Sequence, residues 1–245
     1  MCQRKGFSSL VTIVAVLIIV QAAAEAAVVM DDFSAPDPMS AVAINLLDPD
    51  PTLVQTAGLS LAAVGGERDI LLDVMGVSGL ASFSGTVGGG SFVFNSSVPG
   101  VAVTIQYDGI DADIVGPPAA LVNSEGLGGA DLTTLGSAFF LDFATIEGGQ
   151  GQATDIEIEV HGGGAAAIFV GQIPDSAGPL MFLAPFGGFS NQGALQQATS
   201  IEVRINPYGA SDVDFSLNAV GIPEPATLSL LGLGLLAMLR RRKRR

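Results

Sequence analysis

Hydrophobic and polar residues alternate with a period of two along much of the middle of the chain. In TDIEIEV (154–160), Ile and Val alternate with Asp and Glu, and IEVRI (201–205) and VDFSLNAV (213–220) repeat the pattern. This alternation is typical of antiparallel sheets with one packed and one solvated face. The three stretches therefore predict strands, with Glu202 and Arg204 on the solvent side of theirs.

Similar short runs, separated by Gly, Pro, Asn and Asp, predict about a dozen strands in all. The runs are Val28–Phe33, Ala41–Leu47, Asp69–Val77, Leu80–Thr86, Ser91–Asn95, Val101–Tyr107, Ala138–Phe143, Thr154–His161, Ala166–Gly171, Leu180–Pro185, Thr199–Ile205 and Val213–Val220. The triple glycines at 88–90 and 162–164 suit hairpin turns, and 116–134 is the longest irregular stretch. We predict an all-β fold, an antiparallel two-sheet sandwich of the jelly-roll kind, over residues 27–220.

The first 26 residues have the pattern of a signal peptide. Arg4 and Lys5 precede an apolar run from Leu10 to Val20, and the small-x-small pattern follows as Ala22-Ala23-Ala24 or Ala24-Glu25-Ala26. A basic start, an apolar centre and a small-x-small site are what signal peptidase recognises. We predict cleavage near residue 27, and the alternative is a retained anchor helix. Cys2, the one cysteine, would leave with this segment, so disulfides and cysteine-based metal sites are not expected.

The last 25 residues, from Gly221, combine three features. The triplet Pro223-Glu224-Pro225 precedes an apolar run at 226–239, predicted as a transmembrane helix, and a basic tail. Fourteen residues of helix span roughly 21 Å, short for a bilayer core of ~30 Å. Basic residues stay on the cytoplasmic side, so the tail sets the topology and leaves the triplet outside. This tail consists of Arg240, Arg241, Arg242, Lys243, Arg244 and Arg245.

The segment between the two ends is strongly acidic. Only Arg68 and Arg204 are basic between Ala27 and Pro223, against 22 acidic residues, so its net charge is near −20. Such a surface repels nucleic acid and anionic lipid, and we expect no nucleic-acid partner. It would also attract divalent cations, although a solvated acidic face explains the composition without one.

The triplet, the apolar run and the terminal basic cluster together resemble the PEP-CTERM sorting signal of exported bacterial proteins. The resemblance implies processing near the triplet by an exosortase-type transpeptidase, after transient anchoring in the inner membrane. A permanent C-terminal anchor is the alternative. A looser resemblance to the jelly rolls of carbohydrate-binding modules rests on MDDFS (30–34), GGERDI (65–70), LGGADLT (127–133), MFLAPFGGFS (181–190) and DVDFSLNAV (212–220).

Known catalytic motifs are missing from the sequence. It has no Gly-x-Ser-x-Gly elbow, no His-Glu-x-x-His, no P-loop and no dinucleotide fingerprint, so we predict no catalytic residues and no enzyme. His161 is expected to be an exposed residue beside a turn. The many carboxylates leave a glycosidase open, and a carboxylate-lined cleft would favour one. The lack of Trp argues against sugar stacking, and core or rim packing is expected for Tyr107 and Tyr208.

Calcium is the metal that the acidic residues would suit, because Ca²⁺ takes six to eight hard oxygen ligands. If the first and last strands pair, Asp31 or Asp32 would lie near Asp212 or Asp214, which predicts a structural calcium site there. A second cluster is Asp108, Asp111 and Asp113. Solvated turn carboxylates are the simpler interpretation of both, so no other cofactor is expected.

Together these features predict an exported, non-enzymatic protein of the cell surface or extracellular matrix. Its β-sandwich would be structural or adhesive. The alternative is a carbohydrate-binding jelly roll, calcium-stabilised, with extracellular polysaccharide as its partner.

Overall fold

The computed structural model describes residues 27–34, 52–57, 66–74, 83–97, 99–109, 126–209 and 212–223. The predicted signal peptide, the predicted strand at 41–47, the predicted transmembrane helix and the basic tail lie outside these residues. The described strands are β1 (Ala27–Asp31), β2 (Thr52–Ala57), β3 (Glu67–Val74), β4 (Phe83–Gly88), β5 (Ser91–Ser96), β6 (Val101–Tyr107), β7 (Ala138–Gly148), β8 (Thr154–Gly162), β9 (Ala165–Ile173), β10 (Leu180–Pro185), β11 (Ala198–Ile205) and β12 (Val213–Pro223).

These strands form two antiparallel sheets. Sheet A has the order β10-β7-β12-β5-β4, and β1 also pairs with β12, beyond the segment that β5 covers. Sheet B has the order β2-β3-β6-β11-β8-β9. The predicted all-β, two-sheet antiparallel class is confirmed. The predicted bounds of β6 and β10 are also correct, whereas β2 was not predicted and β7 extends five residues past the predicted end at Phe143.

Period-2 alternation places the apolar side chains of each strand between the sheets. In β8, Ile156, Ile158 and Val160 are fully buried, and the acidic residues between them are partly exposed. Sheet A contributes a cluster of aromatic rings in which Phe215 lies 5.4 Å from both Phe92 and Phe94, measured between ring centroids. Burial of such rings supplies much of a sandwich's stability.

Two of the glycine-rich stretches form the predicted turns. β4 and β5 are joined by Gly89 and Gly90, with φ of 66° and 85°, and β8 and β9 by Gly163 and Gly164, with φ of 60° and 77°. Two-residue hairpin loops favour positive φ at both positions, which glycine adopts without steric cost.

Helical structure within the described residues is limited to short turns. The α-helix α1 (Gln192–Leu195) is a single turn, in which the Asn191 side chain accepts a hydrogen bond from the Gly193 N–H. Among the described helices, none is long and apolar enough to cross a membrane.

Candidate functional site

The sorting triplet begins inside the folded sheet. Pro223 is the last residue of β12 and lies opposite Ala27, the first residue of β1. A Cβ placed on Gly136 would come within 2.3 Å of the Pro223 carbonyl oxygen, so this loop glycine packs closely against the strand end. Glu224, Pro225 and the basic tail lie outside the described residues. Ala27, near the predicted cleavage site, and Pro223, the first residue of the triplet, therefore lie at the same end of sheet A.

A buried ion pair connects β1 of sheet A to sheet B. Both carboxylate oxygens of Asp31 accept hydrogen bonds from Arg68 Nη1, at 2.9 and 2.7 Å, and both side chains are fully buried. Asp31 also accepts from the Tyr107 hydroxyl at 3.3 Å and from the Phe33 N–H at 2.9 Å. The Arg68 guanidinium carbon lies 5.1 Å from the centroid of the Phe33 ring, within cation–π range. This cluster fixes the end of the chain's first described strand in the core.

Burial dominates the protonation chemistry of this cluster. Desolvation raises the pKa of Asp31, although the charge of Arg68 and its hydrogen bonds oppose the shift. Desolvation, together with the Asp31 charge, raises the pKa of the Tyr107 hydroxyl well above its usual value. The neighbouring Asp32 is exposed, and its hydrogen bonds with Ser34 lower its pKa. Asp31 is thus a core residue, whereas Asp32 caps a surface turn.

Asp212 and Asp214 lie at the opposite end of β12. With Glu147 and Asp175 they line a pocket of about 260 Å³, completed by residues 148–151. Asp175 accepts from the Gly148 N–H at 3.0 Å, and Asp214 from the Ser96 N–H at 2.8 Å. The pocket is carboxylate-lined, as a glycosidase cleft would be, but it is smaller than the ~300–1,000 Å³ of typical ligand pockets and no aromatic ring lines it.

The predicted pairing of the first and last strands is confirmed, but its register separates the predicted ligands. Asp31 lies opposite Val220, and Asp214 lies opposite Glu147 on β7. Six residues of strand, roughly 20 Å, separate these positions, so the four aspartates do not converge. Within the described ranges, no group of three or more His, Cys, Asp or Glu is arranged to hold a metal. Calcium binding at Asp212 and Asp214 stays a prediction.

The second predicted acidic cluster is only partly described. The side chain of Asp108 is fully buried and accepts a hydrogen bond from Gln106 Nε2 at 2.9 Å. Asp111 and Asp113 lie outside the described residues.

The outer face of sheet B carries a network of charged side chains. Arg204 pairs with Glu157, Glu202 and Glu159, the last at 2.9 Å. Partial burial lowers the pKa of Arg204, but the charges and hydrogen bonds of these three carboxylates outweigh that effect, so the pKa is raised overall. His161 Nε2 lies 3.3 Å from Glu159 and 3.6 Å from Glu202. His161, Thr199 and residues 162–166 line a shallow depression of about 470 Å³ beside this network.

The two tyrosines take different positions. Tyr107 is fully buried at the end of β6, so its predicted packing role is confirmed, whereas Tyr208 is 60% exposed after β11. Sequence reasoning missed Arg68 as a core residue. Its rarity set it apart in the sequence, since Arg68 and Arg204 are the two basic residues between Ala27 and Pro223, but rarity does not separate a buried arginine from an exposed one.

Comparisons with known proteins agree with the sorting segment. Residues 221–245 match the family described as the PEP-CTERM protein-sorting motif. No curated protein matches the chain. Among solved structures, the chain is similar to the family 11 carbohydrate-binding module of cellulosomal cellulase Lic26A-Cel5E of Clostridium thermocellum, at 10% identity and a TM-score of 0.33, over 76% of this chain and 96% of that one.

Two further solved structures show a similarly distant likeness. A mutant of CBM29-2, a family 29 carbohydrate-binding module, is 16% identical with a TM-score of 0.34, over 65% of this chain and 89% of that one. A structure described as "CBM4 structure and function" is 10% identical with a TM-score of 0.35, over 79% of this chain and 97% of that one.

The family match shows that residues 221–245 are a PEP-CTERM protein-sorting motif, which implies export and exosortase processing. The first three residues of this motif end strand β12.

Proposed function

We propose that this protein is exported, held briefly in the inner membrane by its C-terminal segment, and released to the cell surface or extracellular matrix. Signal peptidase would remove residues 1–26, and an exosortase-type transpeptidase would act near the triplet. The observation that supports this proposal is the sorting motif at 221–245, which continues directly from the last strand of the sandwich.

At its destination the sandwich is structural or adhesive and not catalytic. Its buried aromatic core and paired sheets form a stable scaffold without disulfides, since the one cysteine lies within the predicted signal peptide. The carboxylate-lined pocket is the feature closest to an enzyme site. Hydrolysis of glycans that is lost in a Glu147→Gln, Asp214→Asn variant would contradict the non-enzymatic role.

Fractionation of cells tests the sorting proposal. A Glu224→Ala, Pro225→Ala variant should accumulate in the membrane fraction at higher apparent mass than the wild type. A matched control is Glu147→Ala, Pro174→Ala, which makes the same two changes at exposed positions outside the motif. If the motif variant and the control both behave as wild type, processing at this motif is ruled out.

Carbohydrate binding is the second candidate function. The outer face of sheet B favours it, because its carboxylate and guanidinium groups suit sugar hydroxyls and Tyr208 offers an exposed ring nearby in sequence. A glycan array would separate the two candidates. Binding that weakens in Tyr208→Ala supports the module, whereas an array without hits leaves the structural role.

A further inference from the structure

One end of sheet A has an apolar outer face. The strand registers place Leu183 opposite Phe140, Phe140 opposite Gly221, and Gly221 opposite Val29. Residues paired across antiparallel strands point to the same face of a sheet. These four residues therefore form one apolar row across β10, β7, β12 and β1, which we call the apolar row.

The two ends of the apolar row are accessible, whereas Phe140 at its centre is 5% exposed and Gly221 is buried. Leu183 and Val29 are each 50% exposed, and Met181, two residues before Leu183 on the same face, is 60% exposed. At Gly221 an added Cβ would come within 2.6 Å of a Phe140 ring carbon, so the ring covers the glycine and keeps the face flat. Exposed Met181 and Leu183 thus adjoin the Phe140 ring on one side of the row, and exposed Val29 lies at its other end.

We propose that the apolar row rests on the outer surface of the lipid bilayer while the sorting segment is inserted. This inference depends on the proposed function. Only Glu224 and Pro225 separate β12 from the apolar run that begins at Ala226. Three peptide links span at most about 11 Å, so Pro223, two residues after the row, must lie close to the membrane face. The bilayer thus lies within reach of the row.

The placement of charge permits this contact despite the acidic composition. The carboxylates of Asp214 and its pocket lie at the far end of β12, about 30 Å from Pro223. The Debye length is about 8 Å at physiological ionic strength, so their repulsion of anionic lipid is screened at that distance. Two described acidic residues lie near the row. Asp142 is opposite Met181, and its carboxylate accepts a hydrogen bond from Asn218 Nδ2, whereas the exposed Asp32 follows the end of β1, three residues after Val29.

Tryptophan fluorescence can test the contact, because the chain has no native tryptophan. Three single variants of the full chain, Leu183→Trp, Val170→Trp and Leu235→Trp, would be reconstituted with vesicles of phosphatidylethanolamine and phosphatidylglycerol carrying brominated acyl chains. Val170 is the matched control, since it is 57% exposed on the outer face of sheet B. Leu235 lies within the apolar run and reports insertion of the sorting segment.

We expect the fraction of fluorescence that brominated lipid quenches in Leu183→Trp to be within about twofold of the fraction quenched in Leu235→Trp. The reason is that interfacial apolar side chains lie ~5–10 Å into the headgroup boundary. Val170→Trp should stay unquenched. Quenching of Leu235→Trp with none of Leu183→Trp overturns this inference alone, whereas loss of quenching at Leu235→Trp removes the proposed insertion as well. A Leu183→Trp shielded from aqueous acrylamide yet unquenched by lipid would show that a second copy covers the row, which also overturns the proposal.

Discussion

The two arginines between Ala27 and Pro223 occupy opposite environments. Arg68 is fully buried between the sheets and, within the part of the chain that the structure describes, pairs with Asp31. Arg204 lies on the outer face of sheet B, 31% exposed, among three glutamates. The same residue type therefore forms a buried ion pair at one position and joins a partly exposed charge network at the other.

The difference shows what burial does to an ion pair. Removing two charges from water costs several kcal/mol each, and the attraction between them recovers that cost only if both partners remain. At the surface, water and salt reduce both the cost and the gain, so exposed pairs contribute about 0–1 kcal/mol. We therefore expect Arg68 to be indispensable only while Asp31 is present, and Arg204 to be replaceable.

The largest expected effect comes from breaking the buried pair on one side. Arg68→Met should lower the free energy of unfolding by about 3–5 kcal/mol, because it leaves the Asp31 carboxylate buried without its countercharge. Urea unfolding of residues 27–223, followed by circular dichroism, measures this change.

The double variant Arg68→Met, Asp31→Leu sharpens this prediction. It removes both charges, so it should be more stable than either single variant. If the two single costs simply add, the pair is not coupled and the contrast with Arg204 loses its basis.

The pH dependence of the Asp31→Asn variant is the next test. The folded-state pKa of Asp31 is raised above its usual value of 3.8, which applies to the unfolded chain. At a pH between the unfolded-state pKa and the folded-state pKa, the native protein therefore binds this proton more readily than the unfolded chain does. The contribution of Asp31 to wild-type stability therefore rises as the pH falls through that window. The Asp31→Asn variant has no titrating group at this position and shows no such rise. The cost of Asp31→Asn should be larger near pH 4 than at pH 7. An equal cost at both pH values would mean that the carboxyl does not titrate in the native protein there.

The position of Arg204 could be predicted from the sequence, and that of Arg68 could not. Alternation in IEVRI assigned Arg204 to the solvent face, because Ile201, Val203 and Ile205 define the buried side. The same alternation in β3 puts Arg68 in step with the buried Ile70 and Leu72, but a charged residue at such a position is expected at the surface unless a partner is known. That partner, Asp31, is 37 residues away, and sequence periodicity carries no information about contacts between sheets.

The sorting site shows the same limit. Its motif was readable because tripeptide, apolar run and basic tail are contiguous in sequence. The pairing of Pro223 with Ala27, the apolar row and the acidic pocket each depend on strand register, which distant pairings set. The calcium prediction rested on the pairing of the first and last strands, which is correct, but the sequence could not give the register that places Asp31 opposite Val220.

A smaller effect is expected for the tyrosine beside the buried pair. Tyr107→Phe removes the 3.3 Å hydrogen bond to Asp31 and leaves the ring in place, so we expect a loss of about 0.5–1.5 kcal/mol in urea unfolding. The exposed Tyr208→Phe is the control and should change nothing. In the Arg68→Met background the loss should grow, because Tyr107 is then the remaining side-chain donor to Asp31 among the described contacts. A Tyr107→Phe cost that is unchanged in that background would argue against a shared network.

The smallest effect is expected for Arg204→Gln, and salt separates it from the buried pair. Glu157, Glu159 and Glu202, which are 5–15% exposed, would then face one another without Arg204, which should cost about 1 kcal/mol at low ionic strength. At 1 M salt the Debye length falls to about 3 Å, so part of that repulsion, and therefore part of the cost, should disappear through the 31% exposed side of the network. The cost of Arg68→Met should hardly change with salt, because ions do not reach a pair with no exposed surface. If both variants responded equally to salt, the buried pair would be hydrated in solution.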